Sequence, residues 1–485
     1  MVWTQIVWPG RRDSNPRPSV PKTDALSTEL RPGADSLEYL HSIFPMGTQN
    51  LFGNKEIAVN FVAVCQYYSI MVRSNFLRPL AAACALLVSV AVFAQDLNAD
   101  QKKSVLEGLD KVVQEKVFVP NVDFKKWPEF VEKHKEEIEK ATDVNGFTAV
   151  INRTLREFGI THIRLMSPRA TANRGVTTRT GIGVTATKTD DGLEVRSVAA
   201  EGPAKEAGLE VGDVILKVNG NKPESTDILE GNEGEKKVLE VKKKGGETKT
   251  IEIANKKFST VRKETLTWVN EETAMLKVFT FSAGYGRENI ETLMKEAAKA
   301  KYFILDLRSN GGGAVNNLNH LLSLLLPDST EYGTFVSKPV VEKWQNENAN
   351  KPVDLIEVAK AASNKAKTRV RNGIEPFKGK IAVLINRGSG SASEICAAGL
   401  RENAGAVLVG QKSAGAVLAS IYARLPEGFS LQHPVSDYVT IKGMRLEGNP
   451  LVPDAEVSGP AVDGVDPVVA KALELVKPKS FAYLR

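Results

Sequence analysis

The sequence predicts a multidomain α+β protein with a helical N-terminal region, a small β-rich module and a larger α/β core. Three observations predict it. Residues 98–158 place apolar side chains at helical spacing. Residues 175–257 show short β-type runs broken by glycines. Beyond residue 260, buried-type apolar runs alternate with helical patterns, as in a partly parallel sheet covered by helices.

A chain of 485 residues has room for two to four domains and a sizeable core. The net charge of +6 is mild and no Lys/Arg block is dense, so nucleic acid is not expected as a partner. Of three cysteines, Cys65 and Cys84 fall in segments set aside below, which leaves Cys396 inside an apolar helical run. A lone cysteine there is buried and structural. Neither disulfides nor a Cys-rich metal site are expected, and without a ligand cluster no metal or cofactor is.

Residues 1–70 show no lasting apolar period and do not read as a folded domain. They resemble translated tRNA sequence ahead of a wrongly chosen start codon, with Met71 the start; a functional basic arm is the alternative. Residues 71–94 then read as a secretory signal peptide. Arg73 and Arg78 form the positive region, Leu80 to Phe93 the apolar core, and Val92-Phe93-Ala94 the cleavage site before Gln95. The core is too short for a confident membrane span. Ala81-Ala-Ala-Cys84 leaves too little apolar run ahead of it for a lipoprotein box. An exported protein, periplasmic or extracellular, is expected, with no stable membrane span after cleavage.

The helical region is placed at 95–174. Leu106, Leu109, Val113 and Val117 mark one apolar face, and Phe147, Val150, Ile151, Leu155 and Phe158 another. Glu132 to Lys140 reads as a solvated charged helix with His134 at the surface. Gly159 is a C-cap, and Thr161-His162 follows it.

The β-rich module at 175–257 opens with Thr180-Gly-Ile-Gly-Val184 and contains Gly212-Asp-Val-Ile-Leu-Lys-Val-Asn-Gly220. These strings resemble a bacterial, protease-associated PDZ domain. The resemblance implies a carboxylate-binding loop at Gly181, Ile182 and Gly183 that receives a peptide C-terminus as an added strand.

The core is placed at 258–485. Its strand Tyr302 to Arg308 runs into Ser309-Asn-Gly-Gly-Gly-Ala314 and a helix, an anion cradle that fits neither the dinucleotide-binding nor the P-loop spacing. Residues 329–378 are polar and read as either an ordered insertion or a mobile flap. Strand Ile381–Ile385 leads into Asn386-Arg-Gly-Ser-Gly-Ser-Ala-Ser-Glu394, where a helix begins. A serine there meets free backbone N–H groups and the positive end of a helix dipole, which suits developing oxyanion charge; a plain helix cap is the bland alternative.

As a set, Asp306 to Gly313, Ser389 to Ile395 and the preceding PDZ-like module resemble the C-terminal processing peptidase and tricorn-core family of serine proteases, over about residues 98–475. The resemblance implies a crotonase-like α/β core, with Ser391 as nucleophile and Ser389 and Ser393 as turn and cap residues. Processing peptidases carry a Lys in the turn after the nucleophile helix, but Ala416 stands there and Lys412 lies four residues earlier. Tricorn-like members use a His and a late-loop Glu, which Thr161-His162 and Glu447, followed by Pro453-Asp454, match.

On this reading His162 is the general base and later the general acid, and Glu447 or Thr161 orients it, Glu447 by resemblance through a bridging hydroxyl or water. Backbone N–H groups of Ala392 and of Gly311 or Gly312 hold the oxyanion. His320 and His433 are rival bases. The expected activity is that of an exported serine endopeptidase on unfolded or tail-exposed polypeptides, bound through their C-terminal segments. Two alternatives stand beside it: an inactive PDZ-containing peptide-binding protein on a protease fold, and a crotonase-type acyl-thioester enzyme.

Overall fold

The computed structural model describes residues 96–223, 225–369 and 373–477. The expectations for residues 1–70 and for the signal peptide at 71–94 lie outside the described residues. The N-terminal helices are α1 (Ala99–Lys116), α2 (Trp127–Lys133), α3 (Lys135–Lys140) and α4 (Val144–Leu155). Asn98 and Gln101 cap α1 reciprocally, and the Asp143 side chain accepts the first free N–H groups of α4. Gly159, at φ 65°, turns the chain out of the last helical turn.

His134 departs from expectation. It separates α2 from α3, is 9% exposed and meets Glu157 Oε1 at 3.0 Å. The charged stretch is therefore two short helices around a buried imidazole.

These helices do not form a free-standing bundle. Val105, Leu109, Val113, Phe147, Ile151 and Leu155 share one core with Leu418, Leu425, Phe429 and Leu431. Those last residues belong to β16 (Ala419–Arg424), β17 (Ser430–Thr440) and their flanks. Strand β1 (Arg164–Met166) pairs antiparallel with β17, with Leu165 opposite Leu431. The Thr161-His162 step just before β1 is thus carried to the far half of the chain.

The PDZ module is a sheet ordered β3-β4-β5-β6-β7, made of Val184–Lys188, Leu193–Val198, Val214–Val218, Lys236–Lys242 and Thr248–Ala254. Its entry strand β2 (Thr178–Gly181) pairs with its exit strand β8 (Lys256–Ser259). Strand β3 has β4 on one side only, so its other edge is open.

The core sheet runs β18-β15-β14-β11-β10-β9. Strands β10 (Thr273–Lys277), β11 (Tyr302–Asp306), β14 (Lys380–Ile385), β15 (Val407–Gly410) and β18 (Ala455–Glu456) are parallel, and β9 (Thr265–Asn270) is antiparallel at the edge. Phe303, Leu305, Ile381, Val383 and Ile385 face a core shared with helices 287–297, 315–323 and 392–404. Ile304, Ala382 and Leu384 face helix 467–476 on the other side. Burial on both faces explains why these strands read as unbroken apolar runs.

The polar insertion is ordered: strand β12 (Glu331–Ser337) pairs with β17, and helices 338–347 and 355–361 pack Val341, Trp344 and Val358 around Val336 and Val439.

Both catalytic-type turns leave the C-terminal ends of adjacent parallel strands, β11 and β14, where α/β sheets place ligands. Beneath them, Asp306 accepts from Lys277 Nζ and from Arg308, which also reaches Asp466 at the start of the last helix. Burial opposes ionisation of Asp306, but the Arg308 and Lys277 bonds outweigh it and hold the carboxyl below its usual range.

The glycine turn is tight at Gly313, where φ is 148° and an added Cβ would lie 2.2 Å from Phe281 carbonyl carbon. Gly313→Ala should therefore cost about 1–3 kcal/mol of unfolding free energy, read as a lowered urea midpoint.

Candidate active site

Ser391 sits between β14 and helix 392–404 with φ 54° and ψ −119°. A non-glycine residue rarely adopts a positive φ, and holding it there costs about 1–3 kcal/mol unless the surroundings fix it. They do. Ser391 N–H donates to Ala416 O at 2.8 Å and to Glu394 Oε2 at 3.1 Å. Ser389 Oγ donates to Leu307 O and Ser393 Oγ to Asn310 O. Both flanking serines thus pin the Ser391 turn to the end of β11 and the glycine turn.

Gly312 lies against Ser391: a Cβ on it would come 2.7 Å from Ser391 Cβ and 2.8 Å from Ala392 N. Only glycine permits that approach. Ala392 is the first residue of its helix, and among the described residues its N–H meets no acceptor. The two glycines differ in a way their sequence does not indicate. Gly312 N–H is held by Asn310 Oδ1 at 3.0 Å, an Asx-type turn, whereas Gly311 N–H meets no protein acceptor.

The third component comes from both ends of the chain. Glu447, 5% exposed, accepts from Thr161 N–H at 2.9 Å, Thr161 Oγ1 at 3.0 Å and Val417 N–H at 2.9 Å. Thr161 Oγ1 also lies 2.8 Å from His162 Nδ1. A hydroxyl has one proton; given to Glu447, its oxygen must accept from Nδ1–H. That leaves the Nε2 lone pair free to take a proton. Thr161 therefore stands between Glu447 and the imidazole, in the place expected for a bridging hydroxyl.

No hydrogen bond joins Ser391 Oγ to His162. Segment 414–417 links them instead, since Ala416 O holds Ser391 N–H and Val417 N–H is held by Glu447.

Neither rival histidine is bonded to Ser391. His320 bonds Tyr285 Oη and Glu291 through its two ring nitrogens. His433 is buried in β17, with Nδ1 3.3 Å from Pro434 O. Lys412 is exposed, and Ala416 contributes only its backbone. Cys396 is buried with its thiol pushed far up by burial.

The loop at Gly181, Ile182 and Gly183 is partly engaged within the chain. Ile182 N–H donates to Leu229 O at 3.3 Å, and Gly181 bridges Glu230, because the turn at Thr226–Leu229 lies along the loop. Of the three residues, Gly183 keeps an N–H with no protein acceptor. Among the described residues no cluster of metal-ligating side chains occurs.

The residue that sequence reasoning left without a role is Glu394. It is fully buried and accepts from Ser413 Oγ and from the N–H groups of Gly415, Ala416 and Ser391. Burial raises its pKa, and the bonds from Ser413, Ala416, Gly415 and Ser391 offset part of that rise. A glutamate inside an otherwise apolar helical run was the available signal.

Burial also pushes the His162 pKa below 6.5, with Glu447 partly restoring it and Arg164 lowering it further. An NMR titration of the imidazole should give a midpoint below 6.5. Glu447→Gln removes the restoring charge and should move that midpoint lower still.

Known proteins bear on this arrangement. Residues 272–457 match peptidase family S41, and residues 180–254 match the PDZ domain. The chain is 24% identical over 297 residues to a probable CtpA-like serine protease of Staphylococcus haemolyticus, covering 59% of this chain and 54% of that protein. It is 27% identical over 352 residues to carboxyl-terminal-processing peptidase 1, chloroplastic, of Arabidopsis thaliana, covering 67% and 66%. The chain thus spans between half and two thirds of the length of these relatives. Among solved structures, it is similar to the photosystem II D1 C-terminal processing protease at 19% identity and a TM-score of 0.42, over 74% of this chain and 94% of that one. Residues 272–457 thus carry a peptidase family S41 domain, with a PDZ domain ahead of it at 180–254.

Proposed function

We propose that the chain is an exported serine endopeptidase of the tricorn-like His/Glu type, acting on unfolded or tail-exposed polypeptides. The observation that carries this reading is the Glu447–Thr161–His162 series, which leaves Nε2 as a base. Its link to a serine held at positive φ through segment 414–417 supports the same reading.

In the forward step His162 Nε2 takes the Ser391 Oγ proton as that oxygen attacks the scissile carbonyl. Glu447, acting through the Thr161 hydroxyl, stabilises the imidazolium. The developing oxyanion meets Ala392 N–H and the glycine turn, through Gly311 directly or through Gly312 once it releases Asn310. Each such donor is worth roughly 100- to 1,000-fold in turnover. His162 then protonates the departing amine, and water repeats the sequence on the acyl-serine.

Neutral His162 is the active form, so activity falls as pH drops through its depressed pKa. The PDZ domain receives the substrate's C-terminal carboxylate at the Gly183 N–H, once the Ile182 N–H is released from Leu229.

Ser391→Ala and His162→Ala should each lower turnover of an unstructured peptide by about 10⁴-fold or more. Lys412→Ala should stay within about twofold of wild type. Loss of activity in Lys412→Ala, or its retention in Ser391→Ala, sinks the assignment. Labelling of wild type but not Ser391→Ala by a fluorophosphonate excludes an inactive scaffold. Amidating the C-terminus of the same peptide should raise KM while leaving kcat unchanged; equal KM values would remove the carboxylate from recognition.

A further inference from the structure

Two buried carboxylates hold three consecutive backbone N–H groups of one short segment. Gly415 N–H goes to Glu394 Oε1 at 2.7 Å, Ala416 N–H to Glu394 Oε2 at 2.9 Å, and Val417 N–H to Glu447 Oε2 at 2.9 Å. On one side of the segment, Ala414 N–H bonds Ser389 O, and Ala416 O accepts from Ser391 N–H. On the other, Ser413 N–H bonds Leu451 O, and Gly415 O accepts from Gly448 N–H. The segment therefore lies between the nucleophile turn and the loop that carries Glu447, bonded to both.

We propose that Glu394 is a positioning residue for the serine chemistry. It fixes Ser391 in its positive-φ conformation and sets the distance from Ser391 to the His162–Thr161–Glu447 series through residues 415–417. This inference rests on the reading of Ser391 as nucleophile.

Glu394 has no path to substrate, because its two oxygens are filled by four protein donors. Two donors fall on each oxygen: Ser413 Oγ and Gly415 N–H on one, Ala416 N–H and Ser391 N–H on the other. A neutral carboxamide cannot reproduce this. Whichever way it is turned, its NH2 faces a backbone N–H that then loses its acceptor. The freed segment would let Ser391 relax out of a conformation that is costly unless it is held. A displacement of about 1 Å at a reacting centre is enough to cost roughly 100-fold in rate.

The test is Glu394→Gln in the full chain, beside wild type and Ser391→Ala. The expected result is a kcat lowered about 10- to 100-fold with KM within about threefold, since the substrate cleft is untouched. A crystal structure of the variant should show Ser391 out of the positive-φ region. Unchanged kcat, or Ser391 unmoved in the variant, overturns the proposal, as does a loss that appears in KM alone.

If Glu394→Gln does not fold, amide exchange in wild type decides. The Gly415 and Ala416 amides should exchange as slowly as those of strand β14, and exchange within seconds overturns the inference. A wild-type protein that hydrolyses no peptide would defeat the peptidase reading alone. The Ser391 conformation and the amide exchange would still test Glu394.

Discussion

The site depends on one carboxylate placed where two distant parts of the chain meet. Glu447 takes the N–H and the hydroxyl of Thr161 together with the N–H of Val417, which joins the N-terminal helical region to the core. Buried carboxylates are costly unless their lone pairs are filled, and three donors fill these. The apolar packing of α1 and α4 against Leu425, Phe429 and Leu431 brings Thr161 close, and β1 against β17 sets its register. Only then does the last polar contact fix the imidazole. Hydrophobic burial supplies the proximity here, and hydrogen bonding supplies the orientation.

The parallel strands make a second frame. Adjacent β11 and β14 end at the same level, so the glycine turn and the Ser391 turn emerge side by side. The Asp306, Lys277, Arg308 and Asp466 group under them ties the sheet end to the last helix. Charges that are each partly buried and each paired resist displacement more than exposed pairs do. The turns above can thus hold strained residues without spreading the strain into the sheet.

Much of this could be read from the residues. Apolar runs such as Phe303 to Leu305 announced strands buried on both faces, and Gly159 announced a helix end, because burial and backbone conformation leave local marks. Ser391, His162, Thr161 and Glu447 were singled out by residue type and by likeness to a family. That likeness also suggested a bridging hydroxyl or water between Glu447 and His162, but not which one. That Thr161 stands between Glu447 and His162 depends on a contact across 286 positions, which no local pattern encodes. Glu394 was quoted as part of a motif yet had no role, since its donors come from a turn some twenty residues away. His134 was misjudged because charged neighbours imply a surface, whereas its ring is buried and reaches the exposed Glu157, 23 residues further on. Gly311 and Gly312 stood as alternatives in the sequence for a related reason: only the fold shows that an asparagine two residues earlier holds the Gly312 N–H.

If the loop at 181–183 receives a peptide terminus as proposed, the bond between Ile182 N–H and Leu229 O bears on how that peptide is held. A terminus entering that loop replaces a bond the chain already makes with itself, so part of each gain is cancelled by a loss. Capture becomes an exchange rather than an addition, and its net free energy shrinks accordingly. Weak holding with rapid release suits a module that stands ahead of a cleft. A peptide bound tightly at its end would occupy the groove long after its chain had been cut, and turnover would then be set by departure rather than by chemistry.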